Sequence, residues 1–256
     1  MAGLDLGSVT RTLADAGCLA AAEEAEELIA AARGDRDVLD ALVCRRCTGE
    51  PLAWLTGSTA FCGHEVSVTP GVYVPRWHTE PLARRAVALL APGGVAVDLC
   101  TGSGAIAAVL GAAVPRARVV ATELDPVAVR CARGNGIEVF EGFLDDPLPA
   151  QLEDRVDVLV AVVPYVPTGS MRLLARDVQV FEPRLALDGG AAGTDLLEEV
   201  VRRSPRWLCS GGSVLLELGG DQAGPITGLL HRTGFDAVEV MVDEDGDPRA
   251  VCARFA

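Results

Sequence analysis

The sequence contains no lysine, and all 22 of its basic residues are arginine. Without lysine, Schiff-base catalysis and the lysine of a phosphate-binding P-loop are excluded. The 36 acidic residues give a formal net charge of −14, which argues against a broad phosphate-binding surface. We therefore predict no direct binding of nucleic acid.

Long apolar runs and paired metal-binding motifs are also missing. No run approaches the ~20 residues of a membrane helix, and acidic residues interrupt the N-terminal segment early. We therefore predict a cytoplasmic protein without a signal peptide or membrane association. The eight cysteines are irregularly spaced, and the C-x-x-C of Cys44 and Cys47 has no second pair at zinc-ribbon spacing. These cysteines are expected to be free thiols, with no metal site.

The first third of the chain falls into two parts. Residues 1–57 are predicted to be a small helical domain. Apolar spacing favours one helix over 13–34 that stops at Gly34, and then a second helix that Asp35 or Asp37 caps. Residues 58–79 are predicted to be a β-hairpin linker, because alternating segments flank the turn residues Pro70 and Gly71.

Residues 80–256 alternate between strand and helix patterns, which indicates an α/β fold built on a mostly parallel, seven-stranded sheet. The last two strands flank a polar turn at 243–248, so one of them is expected to run antiparallel. The predicted strands are 95–100, 118–123, 137–141, 157–163, 213–218, 237–243 and 250–255. The predicted helices are 104–113, 126–134, 194–203 and 221–232, after one that begins near Glu80.

One motif indicates a cofactor. An apolar strand ends in Asp98, turns through Thr101, Gly102, Ser103 and Gly104, and enters an alanine-rich helix, while the next apolar strand ends in Glu123. Glycines allow the backbone to approach a ligand closely, and an acid after the second strand can accept hydrogen bonds from ribose hydroxyls. Because no G-x-G-x-x-G is present for a pyrophosphate, the motif favours S-adenosylmethionine over a dinucleotide.

Extended motifs give the chain a resemblance to the protein-(glutamine-N5) methyltransferases that modify the GGQ glutamine of peptide chain release factors. The matching stretches are EPLAWLTG at Glu50, FCGHEVSVTPGVYVPRWHTE at Phe61, DLCTGSGAIA at Asp98, PYVPTG at Pro164, EPRLALDGGAAGTDLL at Glu182, GGSVLLELGGDQ at Gly211 and GDPRAV at Gly246. The resemblance implies a Rossmann-like class I methyltransferase domain, an N-terminal substrate-recognition domain, and S-adenosylmethionine as cofactor, with S-adenosylhomocysteine as product.

The resemblance also implies where the cofactor binds. In the family, the cofactor lies over the glycine turn, its ribose is held by the acid after the second strand, and a P-R-x-x-T-E element lies nearby. An interdomain salt bridge is the alternative role for Arg76 and Glu80. The residues expected at the cofactor are Arg76, Thr79, Asp98, Cys100, Thr101, Gly102, Gly104, Glu123, Leu124, Phe143 and Val162.

Three positions depart from the family pattern. Val162 replaces the asparagine of the N-P-P-Y signature, Phe143 replaces an aspartate near the adenine, and Cys100 replaces a glycine. If Cys100 needs a positive φ, its backbone is strained. Phe143 can instead stack on the adenine, and Asp145 or Asp146 can supply the lost contact.

The change at Val162 bears on the reaction itself. The family asparagine orients an amide nitrogen, which is a poor nucleophile, and valine has no donor or acceptor for this. Losing such a group typically costs about 2.7–4 kcal/mol of barrier. An acceptor that is already nucleophilic, such as an amine, thiol or activated hydroxyl, needs less help. The candidate catalytic residues are then Val162, Pro164, Tyr165 and His78, the last two as general bases.

Three functions are therefore open at this point. The favoured one is an S-adenosylmethionine-dependent methyltransferase with an altered, small-molecule acceptor. The second is a glutamine methyltransferase of release factors that tolerates Val162. The third is a non-catalytic scaffold that binds the cofactor or a protein partner.

Overall fold

The computed structural model describes residues 5–256, so residues 1–4 of the predicted N-terminal domain lie outside it. The chain begins with four helices, which pack their apolar faces together in a small core that includes Leu13, Leu28, Leu39 and Leu55. The helices are α1 (Leu6–Asp15), α2 (Ala21–Ala31), α3 (Arg36–Cys47) and α4 (Leu52–Thr56).

The single helix predicted over 13–34 is wrong, because Gly17 divides it. Gly17 has φ +93°, its N–H donates to the carbonyl of Ala14, and the N–H of Cys18 donates to that of Leu13. This pair of bonds is the Schellman arrangement that ends a helix at a left-handed glycine. The next predicted helix is confirmed as α3, with Asp35 as its N-cap.

A β-hairpin follows the helices, but its position differs from the prediction. Strands β1 (Ser58–Phe61) and β2 (His64–Ser67) are antiparallel and turn at Cys62 and Gly63, not at Pro70 and Gly71. Both turn residues have positive φ, +50° and +78°, as a type I′ turn requires. The segment after Pro70 is instead irregular, up to a short 3₁₀ turn at Trp77–Thr79.

The rest of the chain alternates strands and helices, as predicted, with ends that differ by a few residues, but the short helix at Arg176–Phe181 was not predicted. The strands are β3 (Val95–Leu99), β4 (Arg118–Glu123), β5 (Val139–Glu141), β6 (Val156–Ala161), β7 (Leu208–Glu217), β8 (Phe235–Val242) and β9 (Pro248–Phe255). The helices are α5 (Glu80–Leu89), α6 (Ala105–Ala113), α7 (Pro126–Gly134), α8 (Arg176–Phe181), α9 (Asp195–Arg203) and α10 (Ala223–Arg232). Further 3₁₀ turns lie at Ala150–Leu152, Thr168–Leu173, Arg184–Ala186, Ser204–Arg206 and Gly220–Gln222.

The seven strands form one sheet in the order β5-β4-β3-β6-β7-β9-β8. The first five are parallel to one another, and β9 runs antiparallel to both β7 and β8, which confirms the predicted antiparallel end. The chain proceeds from β3 to one side through β4 and to the other through β6. This reversal is a topological switch point, where α/β proteins bind ligands at the carboxyl ends of strands.

Buried side chains cover both faces of the sheet. One face packs against α9 and α10 and includes Trp207, and the other packs against α5 and α6. Near the hairpin, Trp54 of α4 donates from Nε1 to the carbonyl of Val72 at 2.9 Å, and its ring meets Phe181 edge-on. None of the helices described between residues 5 and 256 is both long and apolar enough to span a membrane.

Candidate active site

A cavity of about 410 Å³ opens at the switch point, above the carboxyl ends of β3, β4 and β6. The register places Leu99 beside both Thr122 and Ala161, so the residues that follow these three strands meet at one place. Two further segments complete the wall, namely 71–79 before α5 and 174–187 around α8.

The turn after β3 has the backbone that its glycines were expected to provide. Gly102 has φ +58°, and a side chain there would meet no other atom within 4 Å, because the position faces open space at the cavity wall. Cys100, also at the wall, has φ +57°, so the condition for a strained backbone at this non-glycine residue is met. The first N–H groups of α6 follow this turn, and such a helix start favours negatively charged ligand groups.

Asp98 anchors this turn. Its carboxylate accepts hydrogen bonds from the Thr101 hydroxyl at 2.5 Å and from the Ala107 N–H at 3.2 Å. Burial raises the pKa of Asp98 to about 7, although these two bonds favour the charged form. Through these two hydrogen bonds the buried side chain of Asp98 holds the loop between β3 and α6 in its conformation.

Glu123, at the end of β4, has its carboxylate fixed by three backbone N–H groups. Oε2 accepts from Gly102 at 2.8 Å, and Oε1 accepts from Leu124 and Asp125 at 2.7 and 2.9 Å. A carboxylate held in one orientation at the wall of a cavity is well suited to accept hydrogen bonds from a pair of ligand hydroxyls.

The opposite wall of the cavity follows β6. Val162, Val163, Pro164 and Tyr165 all border it, so the position expected to hold asparagine presents an aliphatic side chain. In the described part of the chain, no donor is bonded to the carbonyl oxygens of Val162 and Val163. These two oxygens are therefore free to accept a hydrogen bond.

Tyr165 does not have the properties of a general base. Its Oη donates to Oε1 of Glu217 at 3.0 Å, and burial, with the charge of Glu217, raises the pKa of the phenol. The phenol therefore stays protonated, and its hydroxyl acts as a donor. His78 borders the cavity nearby, with Nε2 at 3.7 Å from the same Glu217 oxygen.

The P-R-x-x-T-E element is held mainly by contacts within the protein. Arg76 forms an ion pair with the buried Glu182 and lies 4.9 Å from the ring centre of Tyr73. Glu80 accepts from the N–H of Cys62 at 2.9 Å and pairs with Arg84, so it ties the hairpin to α5. The interdomain salt bridge thus describes Arg76, whereas the salt bridge of Glu80 lies within α5. Arg76 and Thr79 also border the cavity.

Phe143 borders the cavity where the family places an aspartate. Its ring lies 5.6 Å from the guanidinium carbon of Arg203. Asp145 does not reach the cavity, because it accepts from Trp207 Nε1 at 2.8 Å and from Arg203 at 3.1 Å. Asp146 also pairs with Arg203, at 2.7 Å. Neither acid is placed to replace the lost aspartate.

The structure gathers nearly every residue predicted for the site around this one cavity. Gly104 is the exception: a side chain there would come within 2.9 Å of Ile137, so its glycine serves the packing of α6 against 132–137. Sequence reasoning missed Glu217 and Glu182, which lie behind the wall. Glu217 ends an apolar strand as Asp98 and Glu123 do, and this shared pattern could have revealed it.

These features fit an S-adenosylmethionine site. The open space at Gly102 lets a ligand approach the backbone, and the fixed carboxylate of Glu123 is suited to accept hydrogen bonds from a pair of hydroxyls such as those of a ribose. When bound, the cofactor supplies an electrophilic methyl group on a sulfonium. The sheet order, with its antiparallel end, and the site at the switch point define a class I S-adenosylmethionine-dependent methyltransferase.

Comparisons with known proteins identify the family within this class. The chain is 37% identical over 234 residues to a release factor glutamine methyltransferase from Geobacter sulfurreducens, which covers 89% of this chain and 79% of the relative. The chain therefore belongs to the release factor glutamine methyltransferase family and is an enzyme. A scan against protein-family models finds no match.

The chain is also similar to a methyltransferase with a different named substrate and to a solved methyltransferase structure. The chain is 37% identical over 203 residues to the 4-amino-L-phenylalanine/4-methylamino-L-phenylalanine methyltransferase of Streptomyces pristinaespiralis, covering 75% of this chain and 69% of the relative. A methyltransferase crystal structure from Pyrococcus furiosus has a TM-score of 0.54 and 20% identity, with coverage of 76% of this chain and 90% of that one. The latter confirms the fold.

Proposed function

We propose that this enzyme transfers the methyl group of S-adenosylmethionine to an amine nitrogen of a small, largely apolar acceptor. The observation that carries the proposal is Val162, an aliphatic side chain at the position where the family uses an asparagine to orient an amide. An amine nitrogen, including an arylamine nitrogen, is more nucleophilic than an amide nitrogen because its lone pair is not delocalised into a carbonyl, so it needs this orientation less. Glu123 is proposed to bind the ribose, and the 100–104 turn is proposed to lie under the cofactor.

The character of the cavity supports a small acceptor. Beyond Val162 its wall continues through apolar residues of the segment around α8, among them Leu174, Val178 and Leu187. Small-molecule sites combine such apolar walls with a few polar groups. The relative that methylates 4-amino-L-phenylalanine shows that a chain of this similarity acts on an aromatic amine.

A direct assay tests this proposal. Purified protein is incubated with S-adenosylmethionine and 4-amino-L-phenylalanine, and methylated product and S-adenosylhomocysteine are measured by mass spectrometry. L-phenylalanine is the matched control, because it lacks only the ring amine. Methylation of the first compound alone supports an arylamine acceptor, and turnover of neither compound nor of other small amines refutes the proposal.

The second candidate is the glutamine of a release factor. Membership of the family and the unpaired carbonyl oxygens of Val162 and Val163 favour it, because a carbonyl can still accept a hydrogen bond from an amide N–H. A whole release factor, included in the same assay, should gain one methyl group on its GGQ glutamine. In that case Val162→Asn is expected to raise the rate, while under the amine proposal it should not.

A further inference from the structure

Glu217, the last residue of β7, is a buried carboxylate beside the acceptor side of the cavity. It is 2% exposed, and its Oε1 accepts the hydrogen bond from Tyr165. Within residues 5–256, its other oxygen, Oε2, has no hydrogen-bond partner. Because burying a carboxylate oxygen without a partner is costly, this residue points to a role beyond folding.

His78 is the cavity residue that faces this carboxylate. Its Nε2 lies 3.7 Å from Glu217 Oε1, and its side chain is 29% exposed. This distance is too long for a hydrogen bond, but such contacts commonly shorten when an enzyme binds its substrate. With Nε2 turned towards Glu217, Nδ1 is the ring nitrogen that remains to accept a proton.

The other charged groups around His78 are already compensated. Arg76, two residues before His78, is paired with Glu182. Arg249 on β9, whose positive charge favours a lower pKa of Tyr165, is paired with Asp243. Burial raises the pKa of the neighbouring phenols of Tyr73 and Tyr165, which stay neutral. Within the described chain, Glu217 is thus the acid within 4 Å of His78.

We infer that Glu217 is a positioning residue that holds His78 so that Nδ1 takes the proton lost by the acceptor nitrogen on methylation. This role rests on the proposed amine acceptor. The nitrogen lone pair forms the new N–C bond while the electrons of the C–S bond pass to sulfur. The nitrogen, now carrying one more positive charge, gives its proton to Nδ1 and thence to water. The charge of Glu217 stabilises the imidazolium.

Kinetics with 4-amino-L-phenylalanine test the coupling of the two residues. Glu217→Gln and His78→Gln should each lower kcat roughly 10- to 100-fold, with KM within about twofold of the wild type. The double variant should be no slower than His78→Gln, because Glu217 acts through the imidazole. An unchanged kcat in Glu217→Gln, or losses that multiply in the double variant, would overturn the role.

Two further variants separate this role from a purely structural one. Glu217→Asp keeps the charge and should retain more activity than Glu217→Gln, and a glutamine variant as active as the aspartate one would contradict the inference. Glu239→Gln removes an exposed acid of β8 and serves as the matched control, with wild-type kcat expected. Affinity for S-adenosylhomocysteine should stay the same in all these variants.

A measurement that needs no methyl acceptor tests the role of Glu217 separately from the proposed function. Diethyl pyrocarbonate acylates imidazoles, and mass spectrometry reports its rate at each of the three histidines. At pH 6 the rate at His78 should rise in Glu217→Gln, because the carboxylate no longer stabilises the unreactive imidazolium, while His64 and His231 keep their rates. An unchanged rate at His78 refutes the coupling. Faster modification at His78 without methylation of any amine refutes only the proposed acceptor.

Discussion

Glu123 is the residue that most directly supports a cofactor site, because three backbone N–H groups hold its carboxylate at the cavity wall. Glu123→Ala removes both oxygens that are proposed to bind the ribose. Each charged hydrogen bond contributes about 1.5–3 kcal/mol, so affinity for S-adenosylhomocysteine should fall roughly 100-fold or more in calorimetry. Glu141→Ala, at the end of the neighbouring strand β5, is the control and should bind normally. Equal affinities in the two variants would contradict the ribose assignment.

Gly102 permits a test of close approach between backbone and cofactor. Gly102→Ala places a methyl group in open space at the cavity wall, so it should block the cofactor. Gly136→Ala is a matched control, since Gly136 also has positive φ and nothing within 4 Å, but it lies outside the cavity wall. Both should lose about 1–2 kcal/mol of stability through backbone strain. Only Gly102→Ala should lose S-adenosylhomocysteine binding in calorimetry, and tight binding by this variant would refute the close approach.

At the scale of elements, the cap of α3 is a local feature whose contribution can be measured. The Asp35 carboxylate accepts from the N–H groups of Asp37 and Val38 at 3.0 and 3.1 Å. Asp35→Ala should lower the free energy of unfolding by about 1 kcal/mol in urea denaturation. Asp40→Ala removes an acid from an exposed ion pair of the same helix and should cost less than about 0.5 kcal/mol. Equal losses would show that the cap bonds contribute little.

The same elements show what the sequence could predict. Helix α3 and the strands of the parallel sheet follow from local signals, namely a capping aspartate and apolar runs of strand length. The hairpin was misplaced because Pro70 and Gly71 are the stronger turn signal, whereas the actual turn at Cys62 requires positive φ at a non-glycine residue. The packing of Phe61 and Val66 against α5 and α6 fixes the hairpin there, and this tertiary contact leaves no local pattern.

The site was predictable where a motif lies at a strand end, and not where it depends on tertiary contacts. The glycine turn and Glu123 could be recognised because they follow two successive strands, in an arrangement that is typical of nucleoside-binding α/β folds. The pairing of Arg76 with Glu182 joins residues that are 106 positions apart, so no local spacing reveals it. The contact of His78 with Glu217 likewise joins distant positions, so the cofactor side of the cavity was easier to predict than the acceptor side.

At the scale of the whole molecule, the helical segment, the hairpin and the sheet share buried contacts. Ala53 and Trp54 of α4 pack with Val68, Val72 and residues of α7 in one cluster. We propose that 1–57 is a substrate-recognition domain, 58–79 a linker, and 80–256 the methyltransferase domain. Through this cluster the helical segment contacts Val72, which also borders the cavity.

The stability of the whole molecule should depend on pH through Asp98. Burial raises its pKa from 3.8 to about 7, so between these values the folded state binds more protons than the unfolded state. Stability from this group is therefore greatest below about pH 4 and falls as pH rises to about 7, by up to about 4 kcal/mol. Asp98→Asn should remove this slope in urea denaturation without cofactor. The free energy of unfolding of the variant is subtracted from that of the wild type at each pH, which removes the contribution of the other titrating groups. A difference that stays constant from pH 4 to 7 would contradict a raised pKa at the buried Asp98.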